Sequence, residues 1–162
     1  MGIRIGYAAG AFDLFHIGHL NILQRAKEHC DYLIAGVVSD ELCERNKGKR
    51  PVIPLNERLE IVGNVKCVDR AVAEVLPDKL DTWYEVGFNV FFKGDDWRNT
   101  PQGDELERRF GSVGVDVVYF PYTTQTSSTL LREALVVTTG RAASAGLAGP
   151  IQDQAASSAA LP

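Results

Sequence analysis

Two histidines three residues apart, His16 and His19, end the run Gly10-Ala11-Phe12-Asp13-Leu14-Phe15-His16-Ile17-Gly18-His19. On the first turn of a helix that spacing projects both imidazoles to one side. The same turn offers unpaired backbone N–H groups and the positive end of the helix dipole, which together seat a phosphate. Imidazoles beside a bound phosphate donate hydrogen bonds to oxygens that gain charge as a phosphoryl group transfers. Gly10 lets backbone approach such a ligand with no Cβ in the way. Two histidines at this spacing also serve as a cap, as packing or as half of a metal site. A zinc site needs three or four ligands, and no third stands nearby. With Gly10, Asp13 and Gly18 around the pair, we read phosphate chemistry.

Three further stretches have polar chemistry. Lys47-Gly48-Lys49-Arg50, with Arg58 following, packs cations into a Gly- and Pro-containing loop of an acidic chain, which suits a polyphosphate. Such a loop can also close over substrate and exclude water. For Lys49 and Arg50 a merely solvated loop is an equal alternative. Lys93-Gly94-Asp95-Asp96-Trp97 sets two carboxylates at a strand end, where they hold Mg²⁺ or a ribose and base; a turn with capping Asp is the alternative. Thr123 to Thr129 reads Thr-Thr-Gln-Thr-Ser-Ser-Thr directly before Leu-Leu-Arg-Glu. Hydroxyls and N–H groups at a helix start make an anion nest. One Ser or Thr suffices for a cap, so Ser127, Ser128 and Thr129 in a row exceed that need.

The elements that must carry these stretches alternate between short apolar runs and helical patterns. Strands are expected at Ile3–Ala8, Tyr32–Val38, Val68–Val72, Asn89–Lys93 and Val115–Phe120. Helices are expected at Gly18–Cys30, Asp40–Asn46, Asn56–Val65, Asp78–Val86, Gly103–Phe110 and Ser128–Val136. The layout is α/β: a Rossmann-like, doubly wound parallel sheet with helices on both faces. Ligands in such sheets bind at the carboxyl ends of the strands. Residues 1–137 form the expected domain, and 138–162 an Ala/Ser/Gly-rich, flexible C-terminal tail with little to bury.

Composition narrows the partners. Across 162 residues the net charge is −4, which speaks against a general nucleic-acid surface, since that needs excess Lys and Arg. Cys30, Cys43 and Cys67 are odd in number and lack metal-ligand spacing, as expected of reduced structural thiols in a cytoplasmic protein. Membrane insertion is not expected, because no apolar run approaches ~18 residues. The opening Met-Gly-Ile-Arg-Ile-Gly-Tyr reads as a strand entering a loop and not as a signal peptide.

In combination these motifs resemble the cytidylyltransferase group of the H-x-G-H nucleotidyltransferases, most closely the glycerol-3-phosphate cytidylyltransferases. The resemblance runs from about Ile3 to Leu135. The family's G-T-F-D-x-x-H-x-G-H stands here as Gly10 to His19 with Ala11 for Thr, as in ethanolamine-phosphate cytidylyltransferases. Its paired lysines and helix-borne Arg match Lys47, Lys49 and Arg58, and its G-D-D-W matches Gly94 to Trp97. Its R-T-E-G-I-S-T-T aligns with Tyr122 to Thr129, keeping Thr123, Ser127 and Thr129. The family Arg is Tyr122 here, and the Glu-Gly pair is Thr124-Gln125; Arg98 and Arg132 are candidate replacements for the lost cation.

The resemblance implies transfer of CMP from CTP to a small phosphorylated alcohol, with glycerol 3-phosphate first among acceptors. Ethanolamine phosphate, phosphocholine and sugar or polyol phosphates stand behind it. It implies His16, His19, Lys47 and Arg58 as catalytic residues. Nucleotide contacts fall to Gly10, Ala11, Phe12, Asp13, Gly94, Asp95, Asp96, Thr123, Ser127, Ser128 and Thr129, and acceptor contacts to Lys47 and Lys49. Mg²⁺ would bridge the phosphates, with Asp13 or Asp95 as candidate protein contacts, and a homodimer is expected. An adenylyltransferase on the same fold is the nearest alternative, although its phosphopantetheine type usually has Pro where Leu14 follows Asp13. A catalytically silent nucleotide-binding module would tolerate loss of His16, His19 or Lys47, and all three are present.

Overall fold

The computed structural model describes residues 2–121 and 126–144, with side chains as far as Thr138. Five strands form one parallel sheet in the order β3-β2-β1-β4-β5: β1 Ile5–Gly10, β2 Tyr32–Val38, β3 Arg70–Glu74, β4 Val90–Gly94 and β5 Asp116–Phe120. The helices are α1 Ile17–Glu28, α2 Asp40–Lys47, α3 Leu55–Gly63, α4 Lys79–Val86, α5 Pro101–Gly111 and α6 Ser128–Ser144. This is the doubly wound α/β fold that the alternation predicts.

Side chains on successive strand residues point to opposite faces, and both faces are apolar here, as a parallel sheet covered on both sides requires. Ala8, Leu33, Ala35, Val37, Val90 and Phe92 pack with Leu23 and Ala26 of α1 and Val62 of α3. Tyr7, Ile34 and Phe91 point the other way and pack with Leu106 and Phe110 of α5. Tyr7 can lie flat there because Gly36 of β2 has no side chain; a Cβ at Gly36 would stand 2.0 Å from the Tyr7 hydroxyl.

The strand order turns outward on either side of β1, so β1 and β4 flank the crevice where such sheets bind ligands. Gly10 ends β1 and Gly94 ends β4, which brings the Gly10–His19 and Gly94–Trp97 stretches to the same edge.

Several boundaries differ from the sequence expectation: β1 lies at Ile5–Gly10, two residues beyond Ile3–Ala8, most other ends move by one or two residues, and β3 and the last helix differ as follows. β3 lies at Arg70–Glu74, two residues beyond Val68–Val72, because its register is set by pairing Ile34 to Arg70 through Val38 to Glu74. Val68 instead donates its backbone N–H to Val65 in the turn before the strand. The last helix does not stop at Val136 but runs to Ser144, so 138–144 are helical although Thr138, Thr139 and Gly140 are poor helix formers. Residues 145–162, the rest of the expected tail, lie outside the described residues. The chain forms one compact unit to Ser128 and a second from Thr129. Among the described residues no helix is long and apolar enough to cross a membrane.

Candidate active site

His16 caps α1. Its backbone is extended (φ −142°, ψ 176°), and its Nδ1 accepts the Gly18 N–H at 3.0 Å, the task usually given to a Ser or Asp oxygen. A nitrogen that accepts carries no proton, so the neutral ring holds its hydrogen on Nε2. That nitrogen lies 3.4 Å from Ser128 Oγ, whose hydroxyl donates to the Asp13 carbonyl at 2.7 Å. Gly18 is required by this geometry, since a Cβ there would come within 2.8 Å of the His16 ring.

His19 stacks on His16 with ring centroids 4.0 Å apart and stands edge-on to buried Phe12 at 5.4 Å. Its Nδ1 is buried with no hydrogen-bond partner among the described residues, so a positive charge there finds no compensation. Burial, then the charges of His16 and Lys47 working against that of Asp13, lowers its pKa to about 4. Burial also lowers that of His16. Both imidazoles are therefore neutral at neutral pH.

That neutrality has a measurable consequence for stability. An unfolded histidine titrates near 6.5, while folded His19 titrates near 4. Between those values the unfolded chain binds more protons, so its contribution is complete above pH ~6.5 and is lost as pH falls toward 4. The urea midpoint of the native protein should drop between pH 7.5 and pH 5. In His19→Gln the drop should be smaller; an equal drop would show that His19 is not buried neutral.

The loop before α1 is held from behind. Phe12 (φ 50°) and Leu14 (φ 48°) both take left-handed backbone, a conformation that non-glycine residues adopt only where the surroundings enforce it. The enforcing contacts come from Asp13 and Arg58. Asp13 is 2% exposed, and its Oδ2 and Oδ1 accept the Val52 and Ile53 N–H groups at 3.0 and 2.9 Å. Arg58 is 1% exposed. It donates to the carbonyls of Ile53 (2.8 Å), Ala11 (2.5 Å) and Val38 (2.8 Å) and to Asp40 Oδ1 (2.5 Å).

These contacts correct two expectations. Arg58 is no substrate-facing cation: its guanidinium is spent on four protein acceptors, so it fastens the β1–α1 loop, the end of β2 and the post-loop segment together. Asp13 is no metal ligand for the same reason, with both oxygens committed to backbone amides inside the protein. Among the described residues no three His, Cys, Asp or Glu side chains gather as a metal site.

The basic loop divides as well. Gly48 ends α2 in left-handed backbone (φ 65°), leaving Lys47 as the last helical residue. Arg50 turns back onto α2, bonding Glu44 at 2.8 Å and Glu41 at 2.9 Å, so it is a surface brace. Lys47 and Lys49 are exposed and make no ion pair among the described residues. The charge of Lys47 contributes to lowering the His19 pKa.

Gly94 leads into a single 3₁₀ turn, Asp95–Trp97, with Asp95 and Asp96 exposed. Of the hydroxyl-rich stretch, Ser128 reaches His16 and Asp13, Ser127 precedes it half-buried, and Thr129 is exposed on the first turn of α6. Thr123 lies outside the described residues, as do Tyr122, Thr124 and Gln125. Gly10 ends β1, Ala11 serves Arg58 through its carbonyl, and Phe12 backs His19.

One group escaped the sequence reading. Lys93, the penultimate residue of β4, holds its ammonium 4.2 Å from the centre of the Trp97 ring. Behind it on the same face, Tyr7 donates to Glu74 at 2.8 Å and Lys79 bonds the other Glu74 oxygen. A charged residue closing an otherwise apolar strand is the sequence signal that could have marked Lys93.

The comparisons agree with this geometry. The model for the cytidylyltransferase-like family matches residues 7–134, from β1 into α6. The chain belongs to that nucleotidyltransferase family. It is 32% identical over 117 residues to the bifunctional protein HldE of Hyphomonas neptunium (strain ATCC 15444), which covers 69% of this chain and 24% of that protein. The chain thus spans about a quarter of that relative's length. A lipopolysaccharide core biosynthesis protein from Thermoplasma volcanium GSS1 superposes with a TM-score of 0.64 at 29% identity, covering 77% of this chain and all of that one. The pantoate-beta-alanine ligase of Francisella tularensis shares the fold, with a TM-score of 0.56 at 15% identity over 85% of this chain and 70% of its own.

Proposed function

We propose that this family member transfers CMP from CTP to a small phosphorylated alcohol. An oxygen of the acceptor's phosphate forms a bond to the α-phosphorus, and the bond from that phosphorus to the β-bridging oxygen breaks. Pyrophosphate departs with the electron pair. A phosphate monoester is already ionised at neutral pH, so the site needs no strong general base, and the rate rests on alignment and on charge stabilisation.

The observation that carries the reading is the His16 ring, locked by its cap so that the Nε2 hydrogen points toward Ser128 and away from the helix. A neutral donor fixed in this way suits an α-phosphate oxygen gaining charge, and the stacked His19 supplies its companion. Lys47 then meets the transferring phosphoryl group or the acceptor, with Lys49 nearby. Ser127, Ser128, Thr129 and Thr123 serve the β- and γ-phosphates, and Gly94 to Asp96 the ribose and base. Mg²⁺ belongs to this reading as the counterion that arrives with the triphosphate, and Asp95 is the exposed carboxylate at that edge. A homodimer rests on the family resemblance, and a cytoplasmic location on reading Cys30, Cys43 and Cys67 as reduced thiols.

Pyrophosphate release, followed with CTP and with ATP against a panel of phospho-alcohols headed by glycerol 3-phosphate, tests the whole. Release with CTP and at least one acceptor supports it. Preference for ATP moves the reading to an adenylyltransferase, and no release with any pair would leave only a binding module.

A further inference from the structure

The turn that ends β4 is gripped from three directions, and every grip falls on Trp97. The Lys93 ammonium faces its ring, 4.2 Å from the ring centre, a cation–π contact. Its carbonyl accepts the Thr100 hydroxyl at 2.7 Å and the Thr100 N–H at 3.3 Å. The same carbonyl occupies the place where a Gly103 side chain would begin. A Cβ there would stand 2.0 Å from the Trp97 oxygen and 3.0 Å from its carbon, with the Tyr119 hydroxyl of β5 3.2 Å away.

Thr100 and Gly103 join this turn to α5. Thr100 is the helix cap, and its Oγ1 accepts the Gly103 N–H at 3.1 Å while its proton goes to Trp97. One hydroxyl thus serves as donor to the turn and acceptor from the helix. Glycine weakens a helix relative to alanine, so its presence at Gly103 is explained by the carbonyl that needs the room. Between the two elements the chain doubles back at Asn99, whose φ is 59°.

If the Trp97 carbonyl were pushed off, the turn would give and the helix would not. α5 is anchored by Leu106 and Phe110 in the core and by Arg109 on Asp78. Asp95, Asp96, Arg98 and Asn99 are exposed, so the turn is the less stable element. Within it the Arg98 N–H bonds the Asp95 carbonyl at 3.1 Å, which passes a shift at Trp97 on to both carboxylates.

We propose that Thr100 and Gly103 are positioning residues for the nucleotide. By seating the Trp97 carbonyl on the start of α5, they set where Gly94, Asp95 and Asp96 meet ribose and base. They act through the turn and not by contact with substrate. The inference rests on the nucleotidyl-transfer reading, which gives that turn to the nucleotide, and adds that its affinity is governed from α5.

The test uses native protein, Gly103→Ala, Thr100→Val and Thr100→Ser. Titration calorimetry gives Kd for CTP, or for ATP should the native protein prefer it, and pyrophosphate release gives KM for nucleotide and acceptor. Gly103→Ala forces a shift of about 1 Å and should raise nucleotide Kd and KM on the order of 10-fold, with acceptor KM unchanged. Thr100→Val should raise them about 5-fold, the worth of one neutral hydrogen bond. Thr100→Ser keeps the hydroxyl and should behave as native. A residue that only caps its helix would lower the urea midpoint and leave nucleotide Kd alone. That result in folded Gly103→Ala, or in Thr100→Val should Gly103→Ala not fold, overturns the inference while transfer continues. Native protein that binds neither nucleotide removes the reading beneath it as well.

Discussion

Replacing His16 with alanine should lower kcat by about 10²- to 10³-fold, because it removes a preorganised donor from the oxygens that gain charge in the transition state. The same substitution also uncaps α1, since His16 Nδ1 holds the Gly18 N–H. A lost cap costs about 1 kcal/mol, which the fold survives. The two effects separate with His16→Asn. Asparagine is among the best helix caps and should restore the melting temperature, but it cannot place a donor at the Nε2 position. Stability recovered without turnover is the expected result, read by thermal melting beside pyrophosphate release. Full turnover in His16→Asn would reduce the histidine to a cap and sink its catalytic assignment.

Arg58→Met should destabilise the protein by about 3–5 kcal/mol, the cost of removing one partner from a buried ion pair. The substitution strands Asp40 and the carbonyls of Ala11, Val38 and Ile53, all of which depend on that guanidinium. In a domain of this size that loss corresponds to a fall in Tm on the order of 10 °C. Arg58→Lys should recover only part of it, because one ammonium cannot reproduce a planar fork serving four acceptors. If Arg58 instead touched the nucleotide, its loss would raise KM for CTP and spare the melting temperature. That opposite pattern would restore the role suggested by the motif alone.

The contrast between Arg58 and Lys93 shows what a sequence can and cannot disclose. Apolar runs and turn residues are local properties, so β2 was legible to the residue at Tyr32–Val38 and the α/β alternation was legible throughout. His16 and His19 were legible because their spacing acts within one helical turn. The four partners of Arg58 come from three separate stretches, and three of them are backbone carbonyls, which carry no mark in the sequence. A charged side chain in a motif therefore looks the same whether it meets a ligand or locks the scaffold. Lys93 was missed for the reverse reason. It closes the apolar string Val-Phe-Phe, and its surroundings arise only when β4 pairs with β1 and β5 and the following turn brings Trp97 back to the ammonium. β3 itself was misplaced by two residues because the pairing with β2, and not local hydrophobicity, sets its ends.

The clasp that Asp13 places on Val52 and Ile53 also limits how far the basic loop can travel. Its near end is pinned where Gly48 closes α2, and its far end is pinned at Val52. Lys49, Arg50 and Pro51 are all that hangs between those posts, a tether of about 13–14 Å when pulled straight. With Arg50 already tied to Glu41 and Glu44, any capping of the substrate is a small sweep by Lys49, and lengthening this tether is the way to change its reach.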